Sequence, residues 1–444
     1  MSALVRQFIL SCLAAAFVLA AGSVRAVEIE KVTGPESGVE AWLVSDATLP
    51  IIAVSGVIRR SPIGEPEGQE GLHRMAAALL DEGAGDLDSV AFQTALEDRA
   101  IAMGFGGGRE STSFGLRTLS MHGEEAFRLL GLALQAPRFD AEPVERVRGQ
   151  LLSSLVREQE NPSAVAGRLF DEVLLAPGHP FAGSARGTPE TVAGITRADL
   201  LAWARAHGRD RIEIVVVGDV TAEAVAGLLD SAFAGLPALG PVVPLAAPDF
   251  AQGREHRRFM DVPQTVVFFG GAGLDRQDPD FIPGALMNHI LGGGGGLTSR
   301  LADEVREKRG LAYSVSTGLS TWLPDGGSLT GSVATENSAV RRSIELIRAE
   351  MRRMAEGGVT EKELADAKAY LIGAYALNID SNEGLADTLL TIRRFRLGED
   401  YIERRKQLIE SVTPADISRV AERLLKPERF TWVIVGGGVP KPRR

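Results

Sequence analysis

Ile195-Thr196-Arg197-Ala198-Asp199-Leu200, with the later run Arg211-Ile212-Glu213-Ile214-Val215-Val216-Val217-Gly218, is echoed by Val412-Thr413-Pro414-Ala415-Asp416-Ile417 and Arg429-Phe430-Thr431-Trp432-Val433-Ile434-Val435-Gly436. The offset is 217 to 218 residues. In each copy a threonine is placed to cap a helix, and a β-branched run ending in glycine predicts a buried strand. Upstream, each copy carries a long helical pattern, Pro143 to Glu158 and Glu361 to Ile379, with further helices after it. The chain therefore reads as one α+β unit used twice.

Working outward, Glu40–Val44 and Ile51–Ile58 read as the opening strands of the first unit, and Thr265–Gly270 opens the second. The expected fold is two tandem homologous domains in a two-lobed, pseudo-twofold arrangement. Each domain is an antiparallel sheet covered on one side by helices. Residues 237–248 hold four prolines, which favours a stiff, extended connector. The expected division is 27–236 for the first domain, 237–256 for the linker and 257–444 for the second.

Residues 1–26 read as an export signal: Arg6 supplies the positive end, Phe8–Ala21 is apolar, and Val24-Arg25-Ala26 is a small-residue cleavage site. The expected location is periplasmic, with no stable membrane insertion. The single cysteine, Cys12, lies inside that signal, so the mature chain has no disulfide and no thiolate ligand. Losing Arg6 and Arg25 moves the formal charge from −10 to −12. Such an acidic chain is a poor partner for nucleic acid. The clusters Arg393-Arg394-Phe395-Arg396 and Arg404-Arg405-Lys406 have acids nearby and read as solvated helix faces.

Three further segments carry a resemblance. Leu291-Gly292-Gly293-Gly294-Gly295-Gly296-Leu297-Thr298-Ser299-Arg300-Leu301, then Val305-Arg306-Glu307-Lys308-Arg309-Gly310-Leu311-Ala312-Tyr313, is similar to the second-domain signature of pitrilysin/insulinase-type zinc metallopeptidases, especially their processing-peptidase-like branch. Ala176-Pro177-Gly178-His179-Pro180-Phe181 and Gly187-Thr188-Pro189-Glu190 resemble a first-domain segment of the same family. Active members bind zinc through an H-x-x-E-H helix and a later glutamate. Aligning Gly71 and Leu72 with that motif puts Arg74, Ala77 and Ala78 on its His, Glu and His positions, and the run Glu145–Ser154 puts Ser154 on the later glutamate. None of the four is a zinc ligand of that family. His73 falls one residue early, and no two of the six histidines are spaced three to five residues apart. No cofactor is expected in this chain.

The second half reads differently. Thr298 or Ser299 is placed to cap a helix running to about Arg309, Gly310 to end it, and Tyr313 to lie on the following strand, so Arg306 and Tyr313 converge. The resemblance implies that these two residues bind the substrate carbonyl region, and that Gly292, Gly293, Gly294, Gly295 and Gly296 form a loop that handles substrate. No Lys-Ser/Thr follows the glycines, which excludes a phosphate loop. The resemblance further implies a homologous partner subunit that carries zinc, with peptides as substrates. The leading expectation is the non-zinc, substrate-binding subunit of a heterodimeric periplasmic metallopeptidase, inactive on its own. The alternative is a peptidase-fold structural or peptide-binding protein without catalysis.

Overall fold

The computed structural model describes residues 27–243, 245, 247–293, 298–322 and 326–440. The expected export signal, residues 1–26, lies outside the described residues. The first sheet contains β1 (Glu30–Thr33), β2 (Glu40–Ser45), β3 (Ile51–Arg59), β4 (Ala102–Gly107), β5 (Ser111–Leu119) and β6 (Ile212–Gly218), in the order β1-β2-β6-β3-β5-β4. The second contains β7 (Glu255–Phe259), β8 (Gln264–Ala272), β9 (Ala312–Trp322), β10 (Gly326–Glu336) and β11 (Thr431–Gly436), in the order β7-β11-β8-β10-β9. Strand for strand, the second sheet repeats the first without β1. Each sheet also holds one parallel pair, β2 with β6 and β7 with β11, among otherwise antiparallel neighbours.

Among the described residues the first-half helices are α1 (Leu72–Ala77), α2 (Ser89–Glu97), α3 (Gly123–Gln135), α4 (Ala141–Glu160), α5 (Pro162–Val173), α6 (Pro189–Gly194), α7 (Arg197–Arg205) and α8 (Ala222–Phe233). Those of the second half are α9 (Phe281–Leu291), α10 (Val340–Gly357), α11 (Glu361–Asn378), α12 (Asn382–Arg394), α13 (Tyr401–Glu410) and α14 (Pro414–Leu424), with a π-helix at Ala302–Glu307. The repeated threonines do cap: Thr196 and Thr413 each close a capping box, with Asp199 and Asp416 as the reciprocal partners.

One expectation is corrected. A sheet covered on one side should alternate buried and exposed residues, yet β3 and β6 are buried along nearly their whole length. The cause is an exchange of helices between halves. From the second half, α12 lays Ala386, Leu389, Leu390 and Ile392 on Trp42, Val44, Val57, Val215 and Val217 of the first sheet. From the first half, α5 lays Val165, Ala166 and Phe170 on Val266, Val433 and Val435 of the second. Each sheet is thus covered on one face by its own helices and on the other by a helix of its counterpart.

The two exchanged joints differ in chemistry. The α12 joint includes polar locks: Ser55 Oγ donates to Asp387 at 2.5 Å, Arg394 pairs with Glu110 at 2.7 Å, and Arg393 donates to the Ile214 carbonyl at 3.0 Å while its guanidinium sits 5.7 Å from the Trp42 ring centre. This corrects the expectation of a solvated face at Arg393 and Arg394. The carboxylates nearest in sequence are not their main partners; those come from the other half. The α5 joint is extended by stacked aromatics, Phe181 on Trp322 at 5.5 Å and Phe250 on Trp322 at 5.7 Å. The segment Ala176–Phe181 therefore ties the first half to the end of β9.

Candidate functional site

Arg306 and Tyr313 come together through two one-residue irregularities. The segment carrying Arg306 is wound as a π-helix, with Lys308 N–H donating five residues back to the Asp303 carbonyl at 2.9 Å. An extra residue per turn rotates the side chains after it, and such insertions concentrate at functional sites. Ser299 Oγ accepts from Ala302 N–H at 3.3 Å, and Gly310 ends the turn at φ +60°. Both match the boundaries read from sequence; the π register does not follow from it.

On the strand side, β9 pairs Ala312 with Thr335 and Ser314 with Ala334, which leaves Tyr313 as the extra residue of a bulge. A bulge turns its side chain out of the alternation of the pleat. Tyr313 is accordingly 81% exposed, with the Arg306 guanidinium 5.7 Å from its ring centre. Glu304 supports this geometry. Nearly buried, it accepts from Lys308 and Arg309, both at 2.6 Å, and so ties down the cations that flank Arg306. The hydrogen bonds of Lys308 and Arg309 hold its carboxyl below the usual range. Among the described residues Arg306 itself has only Glu307, at 3.5 Å, as an ionic partner. Sequence reading missed Glu304, although its spacing of four from Lys308 was a visible signal.

The glycine run leaves the end of α9. Gly292 accepts from Thr317 N–H of β9 at 3.0 Å, and a side chain on Gly293 would meet Asn288 Nδ2 at 2.6 Å and the His289 Cα at 3.0 Å. The root of the loop is therefore pressed onto α9 so closely that a β-carbon at Gly293 would have to displace the Asn288 side chain and crowd the helix backbone. His289 in turn stacks on half-exposed Tyr370 of α11 at 4.5 Å. Gly294, Gly295 and Gly296 lie outside the described residues.

The positions of the lost zinc motif are placed on and beside α1. Arg74 and Ala77 are in the helix, Ala77 is buried, and Ala78 follows its last residue. Ser154 lies on α4, where its hydroxyl donates to Glu158 at 3.4 Å. Alanine has no donor atom and the arginine is a cation, so these residues do not fit a zinc ion. Among the described residues no group of three or more His, Cys, Asp or Glu side chains is placed to hold a metal. His73 has a packing role instead. Trp203 Nε1–H donates to its Nδ1 at 3.0 Å, so Nε2 carries the proton that goes to the Gly64 carbonyl at 3.0 Å. Burial, aided by the nearby Arg60 charge, lowers its pKa to about 3.

Comparison with known proteins bears on the fold and on family likeness. Residues 194–371 match the model of the Peptidase M16 inactive domain. The chain is 28% identical over 335 residues to the non-peptidase homolog YmxG of Helicobacter pylori, covering 75% of this chain and 76% of that protein. It is 27% identical over 349 residues to the probable mitochondrial-processing peptidase subunit beta of Schizosaccharomyces pombe, covering 74% of each. The crystal structure of a peptidase M16 inactive domain from Pseudomonas fluorescens superposes with a TM-score of 0.84 at 25% identity, covering 94% of this chain and all of that one. Residues 194–371 thus carry a match to the peptidase M16 inactive domain, and the doubled fold and glycine-rich signature make the whole chain similar to the pitrilysin/insulinase-type (M16) peptidases, with Arg74, Ala77, Ala78 and Ser154 standing at the metal-site positions of that family.

Proposed function

We propose that this chain is the substrate-binding, non-zinc subunit of a two-subunit peptidase, exported to the periplasm and inactive on its own. The observation that carries the reading is the Arg306–Tyr313 pair, held 5.7 Å apart on two irregular elements with the phenol facing solvent. Attack on a peptide carbonyl builds negative charge on its oxygen. A guanidinium and a phenol together can donate to that oxygen, and each well-placed donor is worth about 2.7–4 kcal/mol. The exposure of Tyr313 suits a carbonyl presented from outside this chain. A homologous companion would bring the metal and the attacking water. The Schizosaccharomyces pombe relative, named as one subunit of a processing peptidase, supports pairing.

The test is reconstitution of the mature chain with a companion carrying an intact H-x-x-E-H, assayed on short unfolded peptides. Tyr313→Phe is expected to lower kcat while zinc per complex stays constant; full activity in that variant removes the assigned role. The second reading, a peptide-binding protein without catalysis, draws on the Helicobacter pylori relative named a non-peptidase homolog. It predicts that the tagged chain is captured alone or as a zinc-free homodimer.

A further inference from the structure

Away from the Arg306–Tyr313 face, a cavity of about 530 Å³ opens between the Arg60–Pro66 segment and α7. Its wall holds a charge without an adequate partner. Arg60 is 7% exposed and its guanidinium lies 5.0 Å from the Trp203 ring centre. Among the described residues the guanidinium makes one long hydrogen bond, from Nη1 to Thr112 Oγ1 at 3.4 Å. Among the described residues its Nε has no acceptor and no carboxylate is salt-bridged to it, the Glu65 charge acting on it only through space. An arginine carries five N–H donors, and buried charges in proteins are ordinarily paired. Stacking on the indole satisfies the face of the guanidinium and leaves its edge free.

Asp199, the capping-box carboxylate of α7, lines this cavity and accepts from Gln69 Nε2 at 2.9 Å, and the other acid there is Glu65, whose side chain is 5% exposed. Its two oxygens accept from the backbone of His73 at 2.7 Å and Gly71 at 3.0 Å, which leaves lone pairs on both. Neutral His73 adds no charge. Pro62, Ile63 and Leu72 supply an apolar wall beside Trp203. The charge count selects the ligand. A simple carboxylate on Arg60 would set a third anion beside Glu65 and Asp199, and a simple amine on Glu65 would leave the edge of Arg60 without an acceptor. A molecule with both charges satisfies both, and the volume suits something of one or two residues, within the range of roughly 300–1,000 Å³ typical of small-molecule sites.

We propose that this cavity binds a small apolar zwitterion, a free α-amino acid or a dipeptide, with its carboxylate on Arg60, its ammonium on Glu65 and its side chain against Trp203. The proposal goes beyond the peptidase-subunit reading and does not depend on it, because the test measures binding and no cleavage.

Isothermal titration calorimetry of the full mature chain with L-leucine and with leucyl-leucine decides the point. At least one is expected to bind, and which one assigns the source. Two controls each lack one charge: 4-methylpentanoate has no ammonium and isoamylamine no carboxylate. Each is expected to bind more weakly by roughly tenfold or more, the loss for one hydrogen bond to a charged group. Ala202 is exposed on α7 and lines the cavity, so Ala202→Phe fills the mouth without disturbing the core. That variant should keep the wild-type melting temperature in the absence of ligand and lose binding. Absence of heat with both zwitterions, equal affinity for either control, or unchanged binding by Ala202→Phe would each overturn the proposal.

Discussion

Leu389→Ala tests the exchange of helices most directly, because the residue belongs to the second half while its side chain is buried on the first sheet. Leu389 is fully buried, and α12 packs against β3 and β6. Leucine-to-alanine changes in cores cost about 2–5 kcal/mol, and the cost rises when the surroundings cannot collapse into the space left. Val57, Val215 and Val217 are β-branched and fixed on a pleated sheet, so they relax poorly. The expected loss is therefore in the upper part of that range, about 3–5 kcal/mol. Hydrogen exchange read by mass spectrometry locates it. Faster exchange is expected in α12 and also in β2, β3 and β6, more than 150 residues earlier in sequence, with β8 and β11 much less affected. If the increase stays within α12 and its flanking helices, the packing argument is wrong.

Three other outcomes follow from the geometry. In the reconstituted pair, Tyr313→Phe should reduce kcat by about 10²–10³, the size of one lost donor to a developing oxyanion, with melting temperature unchanged because the side chain is exposed. Gly293→Ala should cost about 1–3 kcal/mol in urea unfolding, since its methyl group would press on the Asn288 side chain and the α9 backbone. Stability should also fall on acidification below about pH 6.5. Burial holds His73 and His207 neutral down to about 3, whereas the unfolded chain protonates them near 6.5, so the unfolded state binds more protons in between. Each contributes up to about 1.4 kcal/mol per pH unit in that window. His73→Gln should remove about half of the combined slope between pH 6 and 5 in urea titrations; an unchanged slope would show that His73 is protonated in the folded protein.

The repeat was legible because capping threonines and β-branched runs are local signals, and the Arg306–Tyr313 meeting because a helix, a left-handed glycine and a strand leave little freedom over seven residues. The loss of ligands at Arg74, Ala77, Ala78 and Ser154 was also a local fact. The exchange was not legible, since an apolar helix face shows that something covers it without showing what. One clue was present: the run Ile214–Val217 has no polar alternation, which is the pattern of a strand buried on both faces. The π-helix and the bulge were hidden because inserting one residue changes neither composition nor the approximate period. The Arg60–Trp203 contact joins residues far apart in sequence, and only the tertiary fold brings them together.

The exchange of helices also bears on how the chain is made. The last strand of the first sheet is complete at Gly218, but the helix that shields its outer face ends only at Arg394. At about 5–20 residues per second, a ribosome takes on the order of 10 to 35 s to cover that interval. Throughout that time Trp42, Val44, Val57, Val215 and Val217 form a sticky, uncovered surface on the nascent polypeptide. A holding factor that recognises apolar strands, or translocation before the sheet assembles, would protect the newborn chain from aggregation until its second half arrives.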